Sequence, residues 1–253
     1  MKNIICSTSN ETIKQLKKLQ KDKSYIFLDN PKMISEAFNA GYLLEYLIVK
    51  ENKSDKIGNL KSNNVVEVSS SVFEIFSNTC NSQGVVAVIK NNYKQLKAPQ
   101  NNFLNLDNLQ DPGNVGTLIR SALGANFNDI YLVDCVNLFN DKLVRSSMGA
   151  MFKLNVYESS KNDFLSMVQQ ENLKNKFNIF AGDMSGKNIF EISCKDKIGI
   201  IVGNEGNGIS KEMYQVATDV VSIPMANELE SLNVGVAGSI LMFELNKNNL
   251  KNL

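Results

Sequence analysis

The chain has 253 residues, 43% of them hydrophobic and 21% charged, and a formal net charge of +1. That length suits two domains and that apolar fraction supplies a packed core, which excludes disorder throughout. The absence of histidine excludes every imidazole device, from a Ser-His-Asp triad to an H-E-x-x-H zinc site, and the four scattered cysteines, Cys6, Cys80, Cys135 and Cys194, form no C-x-x-C pair, against a thiolate metal site or a disulfide framework.

In chain order, Thr8-Ser9-Asn10-Glu11 predicts a helix start with a capping box from Thr8 to Glu11, opening a helix near 10–20. Ile13, Leu16 and Leu19 mark its apolar face, and Lys14, Lys17, Lys18 and Lys21 lie largely off it. Short β-branched or aromatic runs predict strands at Tyr25–Leu28, Tyr46–Val49, Val65–Val68 and Val85–Ile89, with helices near 31–40 and 70–77. Residues 1–98 hold 14 lysines, no arginine and 9 acidic residues, for +5, while residues 99–253 carry −4. The four lysines read either as a solvated face or as a phosphate-contacting patch on a small basic domain. Residues 91–102 are polar, end in a proline break at Pro99, and read as a linker between 1–90 and 103–253.

Further strands are predicted at Phe103–Leu106, Ile130–Val133, Leu154–Tyr157, Phe177–Ala181, Ile198–Val202 and Val220–Ile223, with helices near 115–125, 161–171, 210–217 and 231–245. This alternation predicts an α/β domain with a mostly parallel sheet. The apolar stretch after Met1-Lys2 is too short for an export signal, and the longest weakly polar run, Val234 to Phe243, is half a membrane span. The chain therefore reads as a soluble, cytoplasmic protein without a metal.

Three segments at predicted strand ends carry the chemistry, where open α/β sheets place ligands. The first runs from Asp107 to Ala122 and joins an Asp111-Pro112-Gly113-Asn114 turn to Arg120. The second, from Ile198 to Ser210, holds Gly203-Asn204-Glu205-Gly206-Asn207-Gly208, whose glycines admit close backbone approach, and ends in Ser210, placed to cap the next helix. It lacks the G-x-x-x-x-G-K-S/T pattern of a phosphate cradle. The third runs from Val221 to Ile240; Leu232, Val236, Ile240 and Phe243 make a helical stripe, and Gly235 and Gly238 imply a close backbone contact. Arg120 and Arg145 are the only arginines against 25 lysines, which suits sites needing a planar, permanently charged fork.

In this order the three segments resemble the motifs of the SpoU (TrmH-like) RNA 2′-O-ribose methyltransferases, within the SPOUT superfamily. Residues 1–90, ending in Ser82-Gln83-Gly84-Val85-Val86-Ala87-Val88, resemble the small amino-terminal RNA-binding domain of its ribosomal RNA subgroup. The resemblance implies a catalytic α/β domain with a trefoil knot at its carboxyl end, a small α/β domain resembling a ribosomal protein, S-adenosylmethionine as cofactor, ribosomal RNA as partner, and a homodimer. Gly203, Ile223 and Leu232 match positions that contact the cofactor; Asn114, Arg120, Glu205, Ser231 and Asn233 match the polar catalytic pocket. Lys14, Lys17, Lys18, Lys21 and Arg145 are the RNA-contacting candidates. This chain departs from the family pattern at Asp29-Asn30, where Glu-Gly is usual, at Lys21-Asp22-Lys23-Ser24, where arginines are usual, and at Gly235, where serine is usual.

The implied reaction transfers a methyl group to a ribose 2′-hydroxyl of RNA, most specifically 23S ribosomal RNA. Arg120 then positions a phosphate and the 2′-oxygen, and Glu205 either pairs with Arg120 or takes the proton. The other readings are a transfer RNA 2′-O-methyltransferase and a non-catalytic RNA-binding or ribosome-assembly factor of the same fold.

Overall fold

The computed structural model describes residues 4–77, 82–194, 196–226 and 231–251; Cys80 and residues 227–230 of the third segment lie outside them. The chain divides into two compact units, Met1–Asn92 and Tyr93–Leu253.

The first unit runs α1 (Glu11–Lys21), β1 (Tyr25–Leu28), α2 (Pro31–Asn39), β2 (Leu44–Lys50), β3 (Val65–Val68), α3 (Ser70–Phe73) and β4 (Val85–Lys90). The strands form one sheet in the order β1-β4-β2-β3, with β4 antiparallel to both neighbours and β2 parallel to β3. Ile13 and Leu16 of α1 join Val72, Phe73 and Phe76 in a core over Ile48, Val86 and Val88. The predicted capping box is not the cap. Asn10 caps α1, its Oδ1 accepting the Thr12 N–H at 2.9 Å. An Asn directly before the first helical residue is the nearer acceptor for first-turn amides, and Thr8 stays in the preceding turn. The helix predicted near 70–77 is only the single turn of α3.

The second unit contains β5 (Phe103–Asp107), α4 (Pro112–Gly124), β6 (Asp129–Val133), α5 (Asp141–Ser146), β7 (Asn155–Ser159), α6 (Lys161–Gln170), α7 (Leu173–Lys176), β8 (Asn178–Asn188), β9 (Ile198–Gly203), α8 (Lys211–Val216), β10 (Asp219–Ser222) and α9 (Val234–Leu245). Its six strands are all parallel, in the order β10-β8-β9-β5-β6-β7. Phe103, Tyr131, Tyr157 and Ile201 face a core completed by Phe164 and Met213. The parallel order brings the carboxyl ends of β5 and β9 side by side, since Asp107 pairs with Gly203. The stretch expected as a linker is fastened: Asn91 donates its N–H to Ser24 O in the first unit, while in the second Tyr131 Oη donates to Lys97 O at 2.8 Å.

Among the described residues no helix is long and apolar enough to cross a membrane, and no cluster of Cys, Asp and Glu is arranged to hold a metal ion. Burial pushes the Cys135 thiol up to about 12, and it donates to Leu106 O at 3.2 Å, so it is a packed group and not a nucleophile.

Candidate active site

The first segment turns at the end of β5. Asp111 caps α4, its Oδ1 accepting the Asn114 N–H at 2.9 Å, and Pro112 takes the first helical position, where its missing N–H costs nothing. Lys142 of α5 lies 3.0 Å from Asp111 Oδ2. That ammonium, and then the Asn114 amide, hold the Asp111 carboxyl below its ordinary range. The turn therefore presents Asn114 in a fixed orientation.

The second segment is tied to the same strand end. Asn204 Oδ1 accepts the N–H groups of Gly206 and Asn207 at 2.9 and 3.1 Å, and its Nδ2 donates to Asn108 O at 2.9 Å. The Ser210 N–H donates to the buried carboxylate of Asp107 at 2.7 Å, with Lys161 Nζ 4.0 Å from the other carboxylate oxygen. Ser210 occupies the cap position of α8, but its hydroxyl makes no cap bond and is buried without a partner among the described residues. The loop folds so tightly on itself that a Cβ at Gly203 would lie 2.2 Å from the Gly208 carbonyl carbon.

The third segment delivers Asn233, which caps α9 by accepting the Gly235 and Val236 N–H groups at 2.9 and 3.3 Å. The helix thus starts at Val234, three residues later than predicted. Its inner face is Val234, Gly235, Gly238, Leu241, Met242 and Leu245. A Cβ at Gly238 would meet Leu118 Cδ2 of α4 at 2.5 Å, so the close contact expected of this glycine is with α4. Of the stripe read from the sequence, Val236 and Phe243 lie on the outer face, 49% and 46% exposed. Ile240 is half-buried, and Leu232 precedes the helix and lines the cleft described below. A helix apolar on all sides gives periodicity nothing to choose between.

The three turns meet through side chains. Asn114 Nδ2 donates to Glu205 Oε1 at 2.7 Å, and Asn233 Nδ2 donates to Asn114 Oδ1 at 3.0 Å. A cleft of about 630 Å³ opens beside this Glu205–Asn114–Asn233 chain, and Gly203, Glu205, Ile223, Ser231, Leu232 and Asn233 all line it. Arg120 is not among these contacts. It is exposed on α4 and has no ion pair or hydrogen bond among the described residues, so Glu205 pairs with Asn114 and not with Arg120. Arg145 is exposed on α5. In the first unit Lys14, Lys18 and Lys21 are exposed and Lys17 is half-buried, and Lys14 is 2.7 Å from Glu11.

One wall of the cleft went unread in the sequence. The strand expected to stop at Ala181 continues to Asn188, but its register with β10 jumps from Ala181 to Lys187, and the five residues between them bulge out. Asp183 and Met184 of this bulge line the cleft. Asp183 accepts hydrogen bonds from Tyr214 Oη and Ser185 Oγ, both at 2.6 Å. Those bonds hold its carboxyl below the ordinary range, while burial and then Asp183 push Tyr214 up to about 12. Glycines at 182 and 186, flanking Asp183-Met184-Ser185, were the available signal for a bulge.

Comparison with known proteins gives a consistent assignment. The SpoU rRNA Methylase family matches residues 101–243, and an MRM3-like substrate binding domain matches residues 10–87. The 23S rRNA (guanosine(2553)-2′-O)-methyltransferase RlmP of Bacillus subtilis is 27% identical over 246 residues, covering 94% of this chain and 97% of the relative. Human mitochondrial rRNA methyltransferase 3 is 26% identical, covering 92% of this chain and 70% of that protein. The crystal structure of an AdoMet-bound rRNA methyltransferase from Sinorhizobium meliloti superposes with a TM-score of 0.82 at 25% identity, covering 98% of each chain. With more than half of its length matched, bearing all three motif turns on a six-stranded parallel sheet, the chain belongs to the SpoU rRNA methylase family.

Proposed function

We propose that the protein transfers a methyl group from S-adenosylmethionine to a ribose 2′-hydroxyl of 23S ribosomal RNA. The observation that carries this reading is the hydrogen-bonded chain Glu205–Asn114–Asn233 beside the cleft. The cleft fits the cofactor. Its volume, about 630 Å³, is in the range of small-molecule sites, and apolar Ile223, Leu232 and Leu241 share it with the backbone of Gly203. When bound, the sulfonium donor supplies an already activated methyl group.

The residues of this chain then have orientation and proton transfer as their tasks. Gly203, Ile223 and Leu232 hold the cofactor, and Ser231 and Asn233 border the same space. The Asn233 Oδ1 is committed to the α9 N-terminus and its Nδ2 to Asn114, so neither amide can rotate freely. Glu205 has one oxygen fixed by Asn114, and the proton lost by the 2′-hydroxyl is taken at its carboxylate. Arg120 clamps the neighbouring phosphate and the 2′-oxygen with its planar guanidinium fork. Lys17, Lys18, Lys21 and Arg145 add phosphate contacts, and Lys14 joins them where it releases Glu11. Incubation with methyl-labelled cofactor should label 23S ribosomal RNA; label confined to transfer RNA, or no label in any RNA, contradicts the proposal.

The Tyr214–Asp183 hydrogen bond steadies the bulged wall of the cleft. Tyr214→Phe should raise the cofactor KM severalfold and leave kcat at saturating cofactor unchanged. Because the folded Asp183 carboxyl is held low, the tie is intact above the ordinary carboxylate range and weakens as pH falls through the lowered value.

The homodimer and the knot belong to the same proposal. Exposed Val236 and Phe243, with Leu123 at 36% exposure, give one face of α9 and α4 an apolar surface that a second copy would cover. A Cβ at Gly124 would lie 3.4 Å from Phe243, which joins the two helices into one surface. Phe243→Glu should convert the protein to a monomer in sedimentation analysis. Helix α9, which follows the edge strand β10 in sequence, packs against central β9 and α4, in keeping with the knotted tail that the family resemblance implies.

A further inference from the structure

We infer that the amino-terminal unit carries a pocket for a single unstacked nucleotide of the RNA, between the end of α2 and the amino ends of β2 and β3. The inference rests on RNA being the substrate, as proposed above, and locates a contact away from the lysines of α1. The pocket, about 260 Å³, has walls from Phe38, Tyr42, Glu45, Lys61 and Asn63, with Leu43 at its rim. That volume is below the usual range for drug-sized ligands and suits a fragment the size of one base.

The local fold explains why these side chains meet. Gly41 ends α2 in the left-handed conformation (φ +85°), and the Tyr42 N–H reaches back to Ala37 O at 3.0 Å. This glycine C-cap reverses the chain, returning Tyr42 to the side of the helix that holds Phe38. The next strand begins with a register shift between Leu44 and Tyr46, which sets Glu45 outside the regular ladder. Its carbonyl is held by Asn64 Nδ2 at 2.9 Å and Ser62 Oγ at 3.4 Å, so the β2–β3 side of the pocket is built.

The chemistry is that of base recognition in single-stranded RNA, where aromatic rings stack and polar side chains read the exposed edge. Burial holds the Tyr42 phenol above its ordinary value, so the ring stays neutral beside a base. Leu43, 71% exposed, extends the apolar rim. Lys61 pairs with no carboxylate among the described residues and is exposed, as a phosphate contact requires. Asn63 and Glu45 offer donors and an acceptor to the base edge, and a carboxylate acceptor favours a base that carries an amino group.

The test uses the full chain with fragments of 23S ribosomal RNA carrying photoreactive thiouridine or thioguanosine. Irradiated complexes should yield cross-linked peptides containing Phe38–Leu43 or Lys61–Asn64. Tyr42→Leu and the surface change Lys61→Glu should each raise the RNA KM about tenfold, with kcat at saturating RNA and cofactor affinity unchanged. Tyr42→Phe, which keeps the ring, should behave as the parent protein; a role for the hydroxyl in the fold would not be rescued this way. Cross-links confined to α1 or to the second unit, with unchanged KM in both variants, overturn the pocket while the methyltransferase reading stands. A parent protein that neither binds nor methylates any RNA overturns both.

Discussion

Replacing Gly203 with alanine should abolish cofactor binding, raising Kd for S-adenosylmethionine at least a hundredfold in calorimetric titration. The added Cβ would lie 2.2 Å from the Gly208 carbonyl carbon, 2.3 Å from its oxygen and 2.3 Å from the Ile209 nitrogen. All three are backbone atoms, so no side chain can swing aside and the turn itself must open. The turn is held at both ends, by Asn204 on Asn108 O and by the Ser210 N–H on Asp107, so opening it breaks bonds that also seat it on β5. Overpacking of this kind costs about 1–3 kcal/mol of stability, which leaves a sheet of six strands folded. Circular dichroism should therefore remain that of the parent while binding is lost. A variant that binds the cofactor normally shows that the turn is not the cofactor's cradle.

The second large effect is at Arg120. Arg120→Lys should lower methyl transfer about a hundredfold to a thousandfold, as loss of one aimed donor commonly does, with cofactor affinity within twofold of the parent. Lysine keeps the charge and loses the planar fork, so the substitution separates electrostatic attraction of RNA from bidentate positioning. The residue is exposed and has no partner among the described residues, so stability should not change. Near-normal transfer by the lysine variant refutes the fork argument; a matching loss of cofactor binding places Arg120 in the cleft instead.

The elements that sequence reading placed well are those whose environment leaves a pattern. Tyr25–Leu28 and Val65–Val68 coincide with β1 and β3 because short β-branched or aromatic runs bounded by polar turns have few other homes. The six parallel strands of the second unit followed from alternation with helical segments. Asn114 and Glu205 stood out in turns at strand ends, but their grouping with Asn233, across 91 and 119 residues in the two bonded pairs, was legible only through the motif resemblance, since no local rule links turns so far apart. What escaped reading had physical reasons. Helix α5 has six residues, fewer than two turns, so its apolar spacing has no room to repeat, and only its Asn140 cap announces it. The β8 bulge depends on its pairing with β10, and its tie depends on Tyr214 of α8, 31 residues beyond Asp183. The sequence marked an apolar stripe on α9 without saying which way it faces; its exposed members Val236 and Phe243 are those that a second copy is proposed to cover.

Cocrystallisation of the protein with S-adenosylmethionine tests the central claim most directly. The account predicts the cofactor in the cleft lined by Gly203, Ile223 and Leu232, with its methyl group directed toward the Glu205–Asn114–Asn233 chain. A cofactor bound elsewhere on the chain, or a cleft left empty at saturating cofactor, would contradict it.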